Sequence, residues 1–584
     1  MKTEILANLP NLRKLQANEH TIMALLGIIV GLAGGLGAVG FRYLIRFFQT
    51  LAYGSQADLL ELVINMPWYY RVAIPAIGGL VVGPMVYFFA REAKGHGVPE
   101  VMEAVALKGG VIRKRVVVIK TLVSAICIGT GGSVGREGPI VQIGSAVGSV
   151  LGQFMKVSQD RMRTLVGCGA AAGIAATFNA PIAGSMFALE VVLGDFGLAT
   201  FSPIVISAVM ATAVSRYFLG NVPAFIVPAY ELVSAWEFPL YLALGIFCAF
   251  VGVTFTKTLY RIEDLFDELK FPDYLKGIIG GLILGVGSLV FPQVLGVGYG
   301  AIDTALTQQI VWWLLLLLVL AKILATSITI GSGGSGGIFA PSLFMGAMAG
   351  GFFGAVIHRL FPDITATAGA FSIVGMGAVV SATTHGPLSA ILILFEMTGD
   401  YKIILPLMLA CIIATVTSGQ LLRDSIYTLK LARRGVNLKE GKELNVLKSL
   451  FVKDVMNAKV ETMPEALPLK KMAEQISKSK FNSFPVLDDH NKLIGILSFN
   501  DYSEAIFDED LKDLVVARDL ATTELVTVSL DDNLYTALQK ISSKDFAVLP
   551  VVAAEDPTKL KGVVSRRDII GAYNKAVLKK SLFQ

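Results

Sequence analysis

The chain has 584 residues, 54% of them hydrophobic and 16% charged, with a mean hydropathy of +0.64. That balance excludes a purely soluble protein and points to a membrane protein with a soluble part attached. A formal net charge of +5 is small for this length, so nucleic-acid binding has no support.

Residues 1–19 carry charges but no short apolar core followed by a small-residue cleavage site, so they are expected to be a cytoplasmic N-terminal segment and not a signal peptide. From about 20 to 430, apolar stretches such as "TIMALLGIIVGLAGGLGAVGF" and "IVWWLLLLLVLAKILA" recur, several reaching the ~20 residues a spanning helix needs. They are continuous, where a barrel would alternate, so the fold class expected here is an all-α polytopic membrane domain in a lipid bilayer. The basic stretch "RDSIYTLKLARRGVNLKEGK" follows the last apolar segment and marks that end as cytoplasmic. Both termini are then expected in the cytoplasm, and the membrane is expected to be the bacterial inner (cell) membrane. Cys127, Cys168, Cys248 and Cys411 fall singly in apolar segments, which suits buried structural thiols, with neither metal site nor disulfide framework.

The membrane part repeats itself. "GCGAAAGIAATFNAPIAGSMFALEVVLGD" aligns with "GMGAVVSATTHGPLSAILILFEMTGD", each with a glutamate nine residues after a proline: Pro181 to Glu190, and Pro387 to Glu396. Upstream, the loop ending at Pro139 matches the loop ending at Pro341. Two related halves, about 20–225 and 235–425, follow from this. Such halves in transporters are often inverted, with the substrate site where broken helices meet.

Glycine clusters followed by proline, in "GHGVPEVMEAVAL", "GREGPIVQIG" and "GGIFAPSLFMG", predict non-helical backbone leading into a helix whose first turn holds the proline. At membrane depth, such starts present unpaired N–H groups and the positive end of the helix dipole, a setting suited to an anion. Ordinary surface turns explain one such loop, but less readily three in paired positions of two repeats.

Beyond a charged linker at 431–450 the composition becomes that of a soluble domain, again duplicated: "FNSFPVLDDHNKLIGILSFNDYSEAI" matches "FAVLPVVAAEDPTKLKGVVSRRDIIGAY". The unit is expected over 451–575 as two βαββα-like copies with a short tail, 576–584. Ser498 with Asp501, and Ser565 with Asp568, suit helix capping.

Taken with Tyr427, the set "GHGVPE", "GREGP" and "GGIFAP" resembles the ClC family of chloride channels and chloride/proton antiporters, and the duplicated tail resembles a tandem CBS module, a soluble α/β pair. The resemblance covers about 20–575. It implies a homodimer with one anion pathway per subunit. It also implies that chloride is held by backbone amides around Gly135, Arg136 and Glu137 and at Ile338 and Phe339, with the Tyr427 hydroxyl. Glu137 corresponds to the gating glutamate, which occupies the anion's place and swings away. For the tail it implies an adenine nucleotide between the copies, with Asp501 and Asp568 on ribose hydroxyls; capping explains the same residues.

Two positions depart from the family pattern. The inner glutamate of most antiporters falls on Val191, which cannot carry a proton, so passive conduction through a chloride-selective channel gated by Glu137 is expected, with the proton-coupled antiporter and a carrier of another small anion as alternatives. Glu190, next to it, has a repeat partner in Glu396, which favours a shared structural role. In "GHGVP" the usual serine is His96, which either donates to the anion or turns to a backbone carbonyl. Lys120 either raises the pathway's positive potential or snorkels to the surface. A membrane enzyme is excluded, because the five histidines are scattered and form no HExxH or equivalent.

Overall fold

A computed structural model describes residues 19–89, 94–221, 232–436, 447, 450–479, 481–505, 514–543, 546–553 and 555–582. The expected N-terminal segment, apart from residue 19, and most of the 431–450 linker lie outside them. The chain divides into two compact units, Met1–Val436 and Asn437–Gln584.

Among the described residues of the first unit, eight helices are long and apolar enough to cross a membrane, from Thr21–Tyr53 to Tyr401–Leu421. On the helix Glu19–Tyr53, Leu25, Ile29, Leu32 and Leu36 form an exposed apolar stripe at helical spacing, which water would penalise and a bilayer accepts. Its other face carries Gly27, Gly31 and Gly35, four residues apart, against Pro203, Ser207 and Ala211 of the helix Leu198–Leu219. Lipid gives apolar side chains no reason to associate, so small residues that let backbones approach do the packing. The cysteines are all buried and unpaired, as their apolar settings predict.

The two halves open with the helices Glu19–Tyr53 and Glu237–Glu268. Glu190 lies in a short π-helical turn, Ala188–Leu193, that continues the helix Pro181–Phe187. Its carboxylate accepts from the first-turn amides Leu388 N (3.1 Å) and Ser389 N (2.7 Å) and from Ser389 Oγ (2.6 Å). In return, Glu396 of the helix Pro387–Thr398 accepts from Ile182 N (3.2 Å) and Ala183 N (2.7 Å). Each glutamate sits near the end of its own helix and caps the start of the other, so equivalent helices are antiparallel. The halves are therefore inverted repeats. At the centre, Gly135 N donates to Gly337 O (2.7 Å) and Gly337 N to Gly135 O (2.6 Å), a pairing of the same loop position from each half.

The second unit holds two βαββα copies, as the sequence predicts. One sheet is Met463–Pro464, Ser483–Leu487 and Leu493–Ser498; the other is Val528–Ser529, Val548–Ala553 and Asp556–Ser565. In each, the first pair is parallel across a helix and the second antiparallel. The parallel strands need a crossover, which the helices Leu469–Lys478 and Leu534–Ser543 provide. The last helix, Arg566–Leu582, continues into the residues expected to be a tail.

Candidate functional site

The helices Val98–Leu107, Glu137–Met155, Tyr299–Leu306 and Phe339–Leu360 all begin without a side chain capping them. Their first amides have no intrahelical partner, so each start is a donor site with a positive dipole end. Loop pairing gathers these starts: besides the Gly135–Gly337 bridge, Gly95 N donates to Gly334 O (3.1 Å) and Gly336 N to Gly95 O (3.3 Å). Gly97 shows why glycine is required. Its φ is 85°, and a Cβ there would stand 3.0 Å from the Gly138 carbonyl oxygen of the neighbouring helix.

Glu137 is the first residue of its helix and is 1% exposed. Its Oε1 accepts from the Tyr299 hydroxyl at 3.0 Å, while Oε2 lies against Gly135, facing the backbone amides of Glu137 itself and of Ala340. Arg136 turns away. Its guanidinium lies 5.2 Å over the Tyr299 ring, and among the described residues no ion pair joins it to Glu137. The carboxylate is thus held by a hydroxyl and helix-start amides, with no contact ion pair to Arg136 among the described residues, at a depth where a buried carboxylate is costly and marks function.

Sequence reasoning missed Tyr299, although the repeat held the signal. "GVGYG" at Gly296 to Gly300 is the counterpart of "GHGVP" at Gly95 to Pro99, and Gly298 opens its helix at φ 89° as Gly97 does at 85°. The same correspondence accounts for Lys120. Its Nζ donates to Gly95 O at 2.7 Å, and Lys322, buried at the matching place, donates to Gly296 O at 2.9 Å. Both lysines fasten a glycine loop from within, so Lys120 does not snorkel.

The structure brings most of the expected anion ligands together and corrects one. The Gly135 amide is committed to Gly337 O and cannot also serve an anion, because an N–H has one proton to donate. Arg136 and Ile338 hold the N-cap positions with matching backbone, φ −90° and −104°, and Phe339 opens its helix, so these amides precede the helical ladder. Tyr427 is 2% exposed, which sets aside an interfacial anchoring role, and its ring lies 5.8 Å from that of His96. His96, 1% exposed, has turned to no backbone carbonyl: its Nε2 stands 3.4 Å from the Tyr260 hydroxyl. Val191 is buried against Gly386, and Glu190 beside it is occupied by three donors.

In the second unit, Asp501 accepts from Ser498 N (2.8 Å) and Oγ (2.7 Å), and Asp568 from Ser565 N (2.9 Å) and Oγ (2.5 Å). Both aspartates close capping boxes through one oxygen. Local structure thus explains both without a ligand.

Inverted halves whose uncapped helix starts meet around one buried carboxylate define the class as a membrane transport protein for small anions. Comparison with known proteins gives the family. The signature described as "Voltage gated chloride channel" matches residues 78–419, and that of the CBS domain matches 452–508 and 517–575. The chain belongs to this ClC family and carries a CBS pair. A ClcB-like protein of Ralstonia nicotianae is 38% identical over 416 residues, 70% of this chain and 97% of its own length. The H(+)/Cl(−) exchange transporter ClcA of Salmonella agona is 34% identical over 432 residues, 72% of this chain and 91% of its own. A solved slow cyanobacterial Cl−/H+ antiporter superposes with a TM-score of 0.64 at 30% identity, covering 72% of this chain and 98% of that one.

Proposed function

We propose that this protein is a chloride-selective channel, gated by Glu137, that conducts passively through one pathway in each subunit of a homodimer. The observation that carries the gate is the buried Glu137 carboxylate among four helix starts, held by the Tyr299 hydroxyl and, among the described residues, in no contact ion pair. An anion in the same place would meet the same donors, so carboxylate and chloride compete for it. Its ligands are the amides of Arg136, Ile338 and Phe339, the Tyr427 hydroxyl and His96. Passive conduction follows from Val191 and from Glu190, whose oxygens are already bonded, since a relay through a bilayer needs titratable groups or water.

The exchanger is the second reading, favoured by relatives named as H(+)/Cl(−) exchangers. Purified protein in liposomes under a chloride gradient separates the two, with chloride and proton fluxes followed together. A reversal potential insensitive to a pH gradient is expected; chloride efflux that drives protons uphill overturns the channel. Another transported anion, such as nitrate, would appear as an altered permeability ratio in the same assay. An adenine nucleotide at the CBS pair belongs to the proposal as a regulator.

Tyr299 holds the gate shut in this reading. Tyr299→Phe keeps the ring beneath Arg136 and removes one hydrogen bond to the ionised carboxylate, a loss of about 1.5 kcal/mol, or roughly one pH unit. That bond favours the charged, closed form, so without it the gate stays protonated to higher pH. The pH of half-maximal chloride flux should rise by about one unit; an unmoved profile removes Tyr299 from the gate.

A further inference from the structure

Tyr260 and His96 form a short hydrogen-bonded chain that fixes where the imidazole proton sits. The Tyr260 hydroxyl donates to the Ile426 carbonyl at 2.5 Å, which commits its single proton. At 3.4 Å from His96 Nε2 it therefore accepts, and Nε2 carries the hydrogen, an assignment made from the network. Nδ1 is then a bare lone pair. It is buried, and among the described residues it has no hydrogen-bond partner. A lone pair repels an anion, so neutral His96 in this tautomer opposes the occupancy its position beside Tyr427 invites.

We propose that chloride enters the site between His96 and Tyr427 together with a proton, which adds to His96 Nδ1 so that the resulting imidazolium donates Nδ1–H to the anion. This rests on the anion-transport reading above. One proton is taken from solution and one anion is bound; no bond within the protein breaks, and the charge of the site is unchanged. The surroundings favour paired entry. Lys430, Lys120 and Arg434 are the cations that act on the imidazole and Glu100 is the anion, with the Tyr260 hydroxyl and the Tyr427 ring beside it. Glu100 is itself taken up by Lys430 at 2.9 Å and Arg434 at 3.6 Å. An imidazolium alone adds a charge to this cationic cluster, whereas an imidazolium with chloride adds none. The protein thereby gains a proton-linked anion site that makes no use of position 191.

Isothermal titration of chloride into the purified full chain carrying Glu137→Gln, which removes the gate's own titration, tests this. Titrations in buffers of small and large ionisation enthalpy count the protons. Uptake of close to one proton per chloride is expected, with Kd rising about tenfold per pH unit above neutrality. In the added variant Tyr260→Phe, Nε2 loses its acceptor and the neutral ring is free to present Nδ1–H, so proton uptake should fall towards zero while chloride still binds. His96→Ser should likewise bind chloride with a pH-independent Kd. Chloride binding without proton uptake in Glu137→Gln overturns the proposal and leaves the anion site standing, as does an unchanged pH slope after Tyr260→Phe or His96→Ser. Absence of chloride binding at every pH overturns the transport reading with it.

Discussion

Glu137→Gln should raise chloride flux at pH 7.5 by roughly 10- to 100-fold and remove most of its dependence on pH. The side chain keeps its shape and an oxygen able to accept from the Tyr299 hydroxyl, so packing at the helix start is preserved. What is lost is the negative charge. A hydrogen bond to a charged acceptor such as that from the Tyr299 hydroxyl contributes about 1.5–3 kcal/mol against about 1 kcal/mol for a neutral one, and the positive helix starts add to the preference, so a neutral side chain yields its place more readily. Wild-type flux should climb towards the glutamine level as the pH falls, because protonation makes the same change reversibly. The remaining slope in Glu137→Gln belongs to His96 and should vanish in Glu137→Gln with His96→Ser. Liposome flux from pH 5 to 8 measures all three proteins, and a glutamine variant with the wild-type curve would show that Glu137 does not gate.

The architecture was legible because the chain is duplicated. Apolar runs mark the spans, and the recurrence of Pro181–Glu190 as Pro387–Glu396 marks the halves before any geometry is known. Their inversion was not in the letters, since a repeat reads the same whether its copy points up or down. It took Glu190 on Leu388 and Ser389, and Glu396 on Ile182 and Ala183, to fix it. Glu137, Tyr427 and His96 could be named from motifs, whereas Tyr299 and Lys322 were legible only through the repeat, because "GVGYG" has lost the proline that makes "GHGVP" conspicuous. Gly135 was assigned to the anion for want of its partner: sequence identifies an amide near a helix start, but not which carbonyl has reached it first. Tautomer and ring direction at His96 likewise depend on Tyr260, more than 160 residues away in the chain.

Glu190→Ala and Glu396→Ala should each lower the apparent melting temperature of the purified protein and leave the pH dependence of chloride flux unchanged. Each carboxylate satisfies two first-turn amides of the opposing helix, and alanine leaves them without an acceptor at a site where lipid offers none. The cost of one such buried donor is about 1–3 kcal/mol. Glu190→Ala should cost more, because the Ser389 hydroxyl also loses its acceptor, whereas Glu396 receives amides alone. Glutamine at either position keeps one oxygen and should lose less than alanine. The flux measurement decides between two roles for Glu190, which lies beside the aliphatic Val191. A carboxylate that shuttled protons would give Glu190→Gln a stable protein with altered proton movement. A carboxylate that caps a helix gives a less stable protein with the same pH profile, and three donors on two oxygens favour the second outcome.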